Sequence, residues 1–230
     1  MKIVRTDKEL QTPVIDARLR EAGHELVLLP DGIAEDKLIE QIGDADLILM
    51  CYTPITSRII EAAKKLKGIV KYGVGIDAID IPAAVERGIP VVNIPEYAEE
   101  TVAEGAFAML IALAKKMPAI RNTMENNGWA WPEPEWRGSD IAGKTLGIVG
   151  FGKIGKSMAR MANKGFRARV ISFSPHTDST EMEKFGVIKY SSLTHLLSDS
   201  DFVSIHSVLN AETEKLIGEK ELRAMKSSAI

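Results

Sequence analysis

The chain alternates short apolar runs with segments whose apolar positions recur every three or four residues. KIVRT (2–6), ELVLLP (25–30), DLILMC (46–51), GIVKYG (68–73) and PVVNI (90–94) are short, rich in β-branched residues and apolar nearly throughout. That texture predicts strands covered on both faces, as in a parallel sheet. TPVIDARLREAG, EDKLIEQIG, TSRIIEAAKKL and IPAAVERG lie between them and have the helical period. Strand and helix in alternation predict βαβ units. AEETVAEGAFAMLIALAKKMP (98–118) is the longest helical pattern, with Glu99, Glu100 and Glu104 in its first turns, Lys115 and Lys116 in its last and Pro118 as its expected end. Its apolar middle, Ala106 to Ala114, predicts burial all round, and Glu104 is expected there as a buried, paired carboxylate. NNGWAWPEPEWRGSD (126–140) breaks the texture with all three tryptophans and reads as a loop, docking its rings on a neighbouring lobe or subunit or packing them locally. Alternation then resumes: TLGIVG (145–150), the helix KIGKSMARMANKG closed by Gly165, RVISFS (169–174), VIKY (187–190), the helix SSLTHLLSDS, DFVSIHS (201–207) and the helix EKELRAMK.

Composition narrows the class. The chain has 230 residues, 45% hydrophobic and 27% charged, which fits one large or two small globular domains and excludes a disordered or fibrous chain. A net charge of -3 is no footprint for nucleic acid or an anionic membrane, and no apolar run reaches the roughly 18 residues of a spanning helix. One cysteine, Cys51, excludes a disulfide framework and a multi-cysteine metal site, and no metal is expected. With no secretory leader pattern at the N-terminus, a soluble cytoplasmic protein is expected.

The sharpest motif is Gly150-Phe151-Gly152-Lys153-Ile154-Gly155, directly after the strand LGIV and opening a helical pattern. In that context Gly150 permits the tight turn, Gly152 lets backbone approach a pyrophosphate and Gly155 lets helix and sheet pack closely. The amides of Lys153 and Ile154, at the positive end of the helix, suit phosphate oxygens. Ser174 stands where a ribose-reading carboxylate is expected in an NAD site, with His176 and Thr177 nearby and Asp178 as a substitute acid. No Arg follows to clamp a 2′-phosphate, so NAD is favoured slightly and NADP stays open. Gly73-Val74-Gly75, after the strand GIVKY, is either an ordinary turn or a backbone nest for a substrate carboxylate.

Three blocks in order carry a family resemblance: residues 72–118 (YGVGIDAIDIPAAVERG through LAKKMP), 141–162 (IAGKTLGIVGFGKIGKSMARMA) and 200–230 (SDFVSIHSVLNAETEKLIGEKELRAMKSSAI). Together they resemble the D-isomer-specific 2-hydroxyacid dehydrogenases, among them D-3-phosphoglycerate dehydrogenase and the glyoxylate and hydroxypyruvate reductases. The resemblance implies an α/β protein of two Rossmann/flavodoxin-like parallel-sheet lobes joined by a long helix. Residues 1–97 would be the substrate lobe and 98–230 the NAD(P)-binding lobe, incomplete at its C-terminus with four strand runs against about six in the full fold. It implies NAD(P)-linked hydride transfer between a D-2-hydroxy acid and its 2-oxo acid, and a homodimer. Carried over residue by residue, Lys153 and Ile154 meet the pyrophosphate and Ser174 the ribose. Thr101 lies near the nicotinamide, His206 to Val208 form a loop under the cofactor, and Val74 and Gly75 hold the substrate carboxylate. Tyr52 and Thr53 are expected on the substrate side of the cleft between the lobes. This chain has Val208 where the family often has proline, Ala78 where it has asparagine and Gly105 where it often has histidine.

The family's reaction needs an Arg to grip the carboxylate, a His to exchange the alkoxide proton and an acid to orient that His. All three family positions follow the helix ELRAMK and are expected beyond Ile230, so no catalytic residue is assigned within the chain. This chain alone is therefore expected to turn over weakly or not at all, and the alternative is a non-catalytic nucleotide-binding fragment. Of the histidines, His24 is expected at the surface, His195 on an amphipathic helix, His176 near the adenosine and His206 in packing or cofactor contact. Cys51 reads as a small buried hydrophobe, and Arg5, Arg58 and Lys71 are scattered candidates for a substrate phosphate.

Overall fold

The structure, a computed structural model, describes all 230 residues save the side chain of Glu135, and the chain divides into two compact units, Met1–Tyr97 and Ala98–Ile230. In the first, strands β1 (Lys2–Arg5), β2 (Glu25–Leu28), β3 (Leu47–Met50), β4 (Gly68–Lys71) and β5 (Val91–Val92) form one parallel sheet in the order β2-β1-β3-β4-β5. Helices α1 (Pro13–Glu21), α2 (Glu35–Ile42), α3 (Ser57–Ala62) and α4 (Ile81–Glu86) make the crossovers. The strand order is the flavodoxin-like doubly wound one, whose direction reverses between β1 and β3. Ile48, Met50, Ile59, Ile60 and Ile69 are fully buried in its core.

The second unit has strands β6 (Thr145–Val149), β7 (Arg169–Phe173), β8 (Val187–Lys189) and β9 (Phe202–Ile205), parallel, in the order β8-β7-β6-β9. That is the first four strands of the Rossmann order, with the reversal between β6 and β9. One face is covered by α5 (Glu99–Ala114) and α7 (Lys153–Arg160), through Phe107, Leu110, Met158 and Ala159; the other by α9 (Leu193–Asp199), through Leu196 and Leu197. Glu100 fixes the start of α5 to α7, accepting from Ser157 Oγ at 2.7 Å and pairing with Arg160. The short helices α8 (Ser179–Glu183) and α10 (Glu219–Ala224) complete the unit.

Three local expectations are corrected. The long helix ends at Ala114, where Lys116 takes a left-handed φ of 56°, and Pro118 opens a further helix, α6 (Met117–Asn127), instead of ending the first. Proline suits a first turn because its missing N–H has no helical partner there. Helix α6 buries no residue, so its sequence carries no apolar stripe to announce it. Helix α5 is not buried all round: Ala103, Phe107, Leu110 and Ala114 form the inward stripe, while Val102, Met109 and Leu113 are exposed, and Glu104 is exposed instead of buried. A single layer of helix on sheet can bury only one stripe. The helix after the glycine turn does close at Gly165 as expected, its last turn, Met161–Gly165, being a π-turn.

Candidate functional site

Open α/β sheets bind ligands outside the carboxyl ends of their strands, where the strand order reverses. In the second unit that place is the junction of the β6 and β9 ends, and it holds the glycine turn. Gly150 sits at a φ of 94°, and a Cβ on it would stand 2.6 Å from Ser207 N and 2.8 Å from His206 O. Gly155 is buried in α7, where a Cβ would collide with the Gly150 carbonyl oxygen. Both glycines are therefore demanded by the protein's own packing. Gly152 is different: a Cβ there would meet nothing within 4 Å, and its φ of -76° is open to any residue. It precedes Lys153 at the start of α7 with no side-chain cap, so open space lies over the helix N-terminus. The residues present therefore fit a pyrophosphate: the cradle has the room a phosphate needs and a helix dipole directed into it.

A cavity of about 520 Å³ extends from this turn. Gly150, Gly152, Ser174, His206 and Val208 line it together, with His176 and Thr177 beside Ser174 and Asn210 and Thr213 on the β9 side. Ser174 Oγ and Thr177 Oγ1 are 3.1 Å apart and close a small turn with the Thr177 N–H donating to Ser174 O. His206 shares a 2.8 Å hydrogen bond between Nε2 and Ser204 Oγ, and burial lowers its pKa below the usual imidazole value. Ile154 turns its side chain into the hydrophobic core, so what it offers a ligand is backbone. Thr101 is exposed on the first turn of α5 and is not among the cavity-lining residues. His195 is exposed on α9, and His24 is half-buried instead of lying at the surface.

The first unit has its own cluster at the β1–β3 reversal, and its centre, Asp7, carries no motif. Asp7 is 1% exposed, at a left-handed φ of 56° that aspartate tolerates. Its carboxylate accepts from Cys51 N at 2.8 Å, Tyr52 N at 3.1 Å, Thr53 N at 3.2 Å, Thr53 Oγ1 at 2.9 Å and Thr6 Oγ1 at 2.7 Å. Burial alone would raise its pKa; the Cys51 amide, the Thr6 and Thr53 hydroxyls and the Tyr52 amide outweigh it and hold the carboxyl below the usual value. Thr53 is thus buried and committed to Asp7, not available to line a cleft, whereas Tyr52 beside it is 70% exposed. Lys71 is buried, donates to Cys51 O and lies 5.5 Å from the Tyr52 ring centre. Tyr72 donates to Thr6 O at 3.0 Å, and burial pushes its phenol up to about 12. Burial likewise raises the Cys51 thiol, whose sulfur contacts Tyr72 O.

At the end of β4, Val74 and Gly75 are exposed, and the carbonyls of Gly73 and Val74 are engaged from behind by Ile94 N at 3.0 Å and Asn93 Nδ2 at 2.7 Å. Asn93 was missed by motif reading; its only signal is its place at the end of a strand. Arg5 and Arg58 leave the phosphate candidates. Arg5 is buried on Leu10 O, Thr12 and Asp16, and Arg58 is paired with Glu35 and Asp36. Trp129 and Trp131 pack edge to face, 5.0 Å between rings, yet stay mostly exposed. Among the described residues no group of three His, Cys, Asp or Glu could hold a metal ion.

Two doubly wound sheets, one carrying an open glycine cradle at its reversal point, define a Rossmann-type dinucleotide-binding protein. Residues 107–230 match the family described as D-isomer specific 2-hydroxyacid dehydrogenase, NAD binding domain, and the chain belongs to that family. It is 41% identical over 199 residues to the glyoxylate reductase of Korarchaeum cryptofilum, covering 84% of this chain and 58% of that protein. It is 37% identical over 228 residues to the glyoxylate reductase of Thermococcus litoralis, covering 96% and 68%. The crystal structure of the TT0316 protein from Thermus thermophilus superimposes with a TM-score of 0.88 at 31% identity, over 100% of this chain and 72% of that one. The chain thus spans about three fifths of the length of the curated relatives it matches.

Proposed function

We propose that the protein is an NAD(P)-dependent oxidoreductase that interconverts a small D-2-hydroxy acid and its 2-oxo acid, of the glyoxylate, hydroxypyruvate or 3-phosphoglycerate kind. The observation that carries this reading is the open space over Gly152 between two glycines that the fold itself requires. In this proposal the backbone of Gly152, Lys153 and Ile154 holds the pyrophosphate. Ser174 hydrogen-bonds the adenosine ribose, and His206 to Val208 floor the cofactor. Thr101 approaches the nicotinamide, which when bound supplies or accepts the hydride.

Residues 1–97 act as the substrate lobe and 98–230 as the cofactor lobe. The Gly73–Gly75 turn, held by Asn93 and Ile94, offers Val74 and Gly75 amides to the substrate carboxylate. Asp7 orders the adjoining loop so that Tyr52 stands beside the substrate. His206 serves as a packing and cofactor-contact residue, because burial favours its neutral form and Ser204 occupies its Nε2. The proposal includes a cytoplasmic homodimer, supported by the exposed apolar side chains of Met109, Leu113, Met117, Trp129 and Trp131 in the second unit. Turnover of glyoxylate or hydroxypyruvate with NADH or NADPH supports the oxidoreductase. Saturable nucleotide binding without turnover favours a non-catalytic nucleotide-binding role, and no binding of either nucleotide contradicts both.

A further inference from the structure

We propose that the second unit carries an oxyanion site apart from the glycine cradle, in the cavity of about 370 Å³ between the α5–α6 corner and residues 227–230. Lys116 and Arg137 hold a phosphate group there, free or carried by a small alcohol. The proposal does not depend on the dinucleotide reading.

Close packing brings the two cations to one wall. Lys116, at its left-handed φ of 56°, stands between α5 and α6. Gly138 lies against that corner: a Cβ on it would stand 2.5 Å from Ala114 O and 2.8 Å from Lys115 Cα, so no larger residue fits. Ser139 N donates to Ala114 O at 2.8 Å and fixes the loop there. Arg137 and Ser139, on either side of the glycine, therefore line the same cavity as Lys116. The facing wall is the turn after α10. Ile230 N donates to Asp201 O at 3.1 Å, and Val203 N donates to Ile230 O at 2.8 Å, which seats that turn at the start of β9. It adds Ser227 and Ser228 to the lining.

Every charged residue lining this cavity is a cation, in a chain whose net charge is -3. Lys116 and Arg137 are exposed, and among the described residues neither has a carboxylate partner. Two described carboxylates are close in sequence. Asp140 is paired with Lys115 at 2.8 Å and does not line the cavity, and Glu133 lines a different groove, beside Trp129. The adjoining cavity, which shares Ser227 and Ala229, is also lined by cations, Arg223 and Lys226. Those two are neutralised, by Glu219 at 2.6 Å and by Asp201 at 3.1 Å. Of the four cations, only Lys116 and Arg137 keep their charge for a ligand. The hydroxyls of Ser139, Ser227 and Ser228 make no hydrogen bond among the described residues. A guanidinium fork, an ammonium and free hydroxyl donors match a tetrahedral oxyanion. The place also separates this site from the cofactor's. It borders Asp201, ahead of β9, at the amino ends of the strands, whereas Gly150, Ser174 and His206 follow their carboxyl ends.

The test is an amide NMR titration of the 230-residue chain with inorganic phosphate, glycerol 3-phosphate and acetate at matched ionic strength, so that screening is common to all three. Phosphate should shift the Gly138, Ser139, Ser227 and Ser228 amides along one saturable curve, with the monoanion acetate about tenfold weaker. Arg137→Met and Lys116→Met should each weaken phosphate about tenfold, the size of one charge-assisted contact. Arg137→Lys should recover most of that loss, and Arg223→Met should stay within about twofold of the parent. Tighter binding of glycerol 3-phosphate than of phosphate would assign the site to a phosphorylated small molecule, and the reverse order to the free ion; either result upholds the oxyanion site. Acetate equal to phosphate would reduce the effect to general charge attraction and overturn the proposal. So would shifts confined to residues 150–155, or phosphate binding that survives Arg137→Met and Lys116→Met combined.

Discussion

Asp7 organises the backbone at the reversal point of the first sheet. Five donors from two strand ends converge on its carboxylate, so an internal anion fills the reversal point where an open sheet would otherwise bind a ligand. Truncating it strands buried N–H groups, and Asp7→Ala should cost about 3 kcal/mol in urea unfolding. Because its folded pKa lies below the ordinary 3.8, its contribution is present above that value and is lost as pH falls through the lowered one. His206 obeys the same rule for a different reason. Burial makes the fold prefer the neutral ring, so the unfolded chain binds more protons. Stability of the second unit should be full above pH 6.5 and fall as pH drops toward the depressed value, and a His206→Gln variant should lose that dependence in a thermal-unfolding series.

At the scale of elements, the glycine turn separates what the fold needs from what a ligand needs. Gly155→Ala forces a methyl against the Gly150 carbonyl and should destabilise the second unit by about 2 kcal/mol or more. At Gly152 a Cβ would meet no protein atom within 4 Å, and Gly152→Val should leave thermal unfolding within about 0.5 kcal/mol of the parent. The strand runs and the glycine spacing were legible because a period of two or 3.6 and a fixed loop geometry leave direct marks in sequence. Helix α6 was not, because MPAIRNTMENN buries nothing and so needs no stripe. The exposed outer row of α5 was not either: Ala and Leu suit helix propensity on either face, and only the layer count decides which face is covered. Asp7 and Asn93 act across strands, and pairing, not local spacing, brings them to their partners.

At the scale of the whole molecule, each unit has a separate core around its own sheet. Unfolding should show two transitions. NADH at a hundred times its dissociation constant should raise the one belonging to residues 98–230 by about 2.7 kcal/mol and leave the other unmoved. Met109→Glu with Leu113→Glu, on the exposed face of α5, should shift sedimentation from dimer to monomer if that face pairs two copies.

The proposed cofactor site places a dinucleotide's phosphates in the space over Gly152. Its most direct measurement is an equilibrium fluorescence titration of NADH and NADPH against the chain and its Gly152→Val variant. Saturable binding to the first is expected, with at least a tenfold loss in the second and the unfolding transitions unchanged. Binding that survives the valine undiminished, or a chain indifferent to both nucleotides, would contradict it.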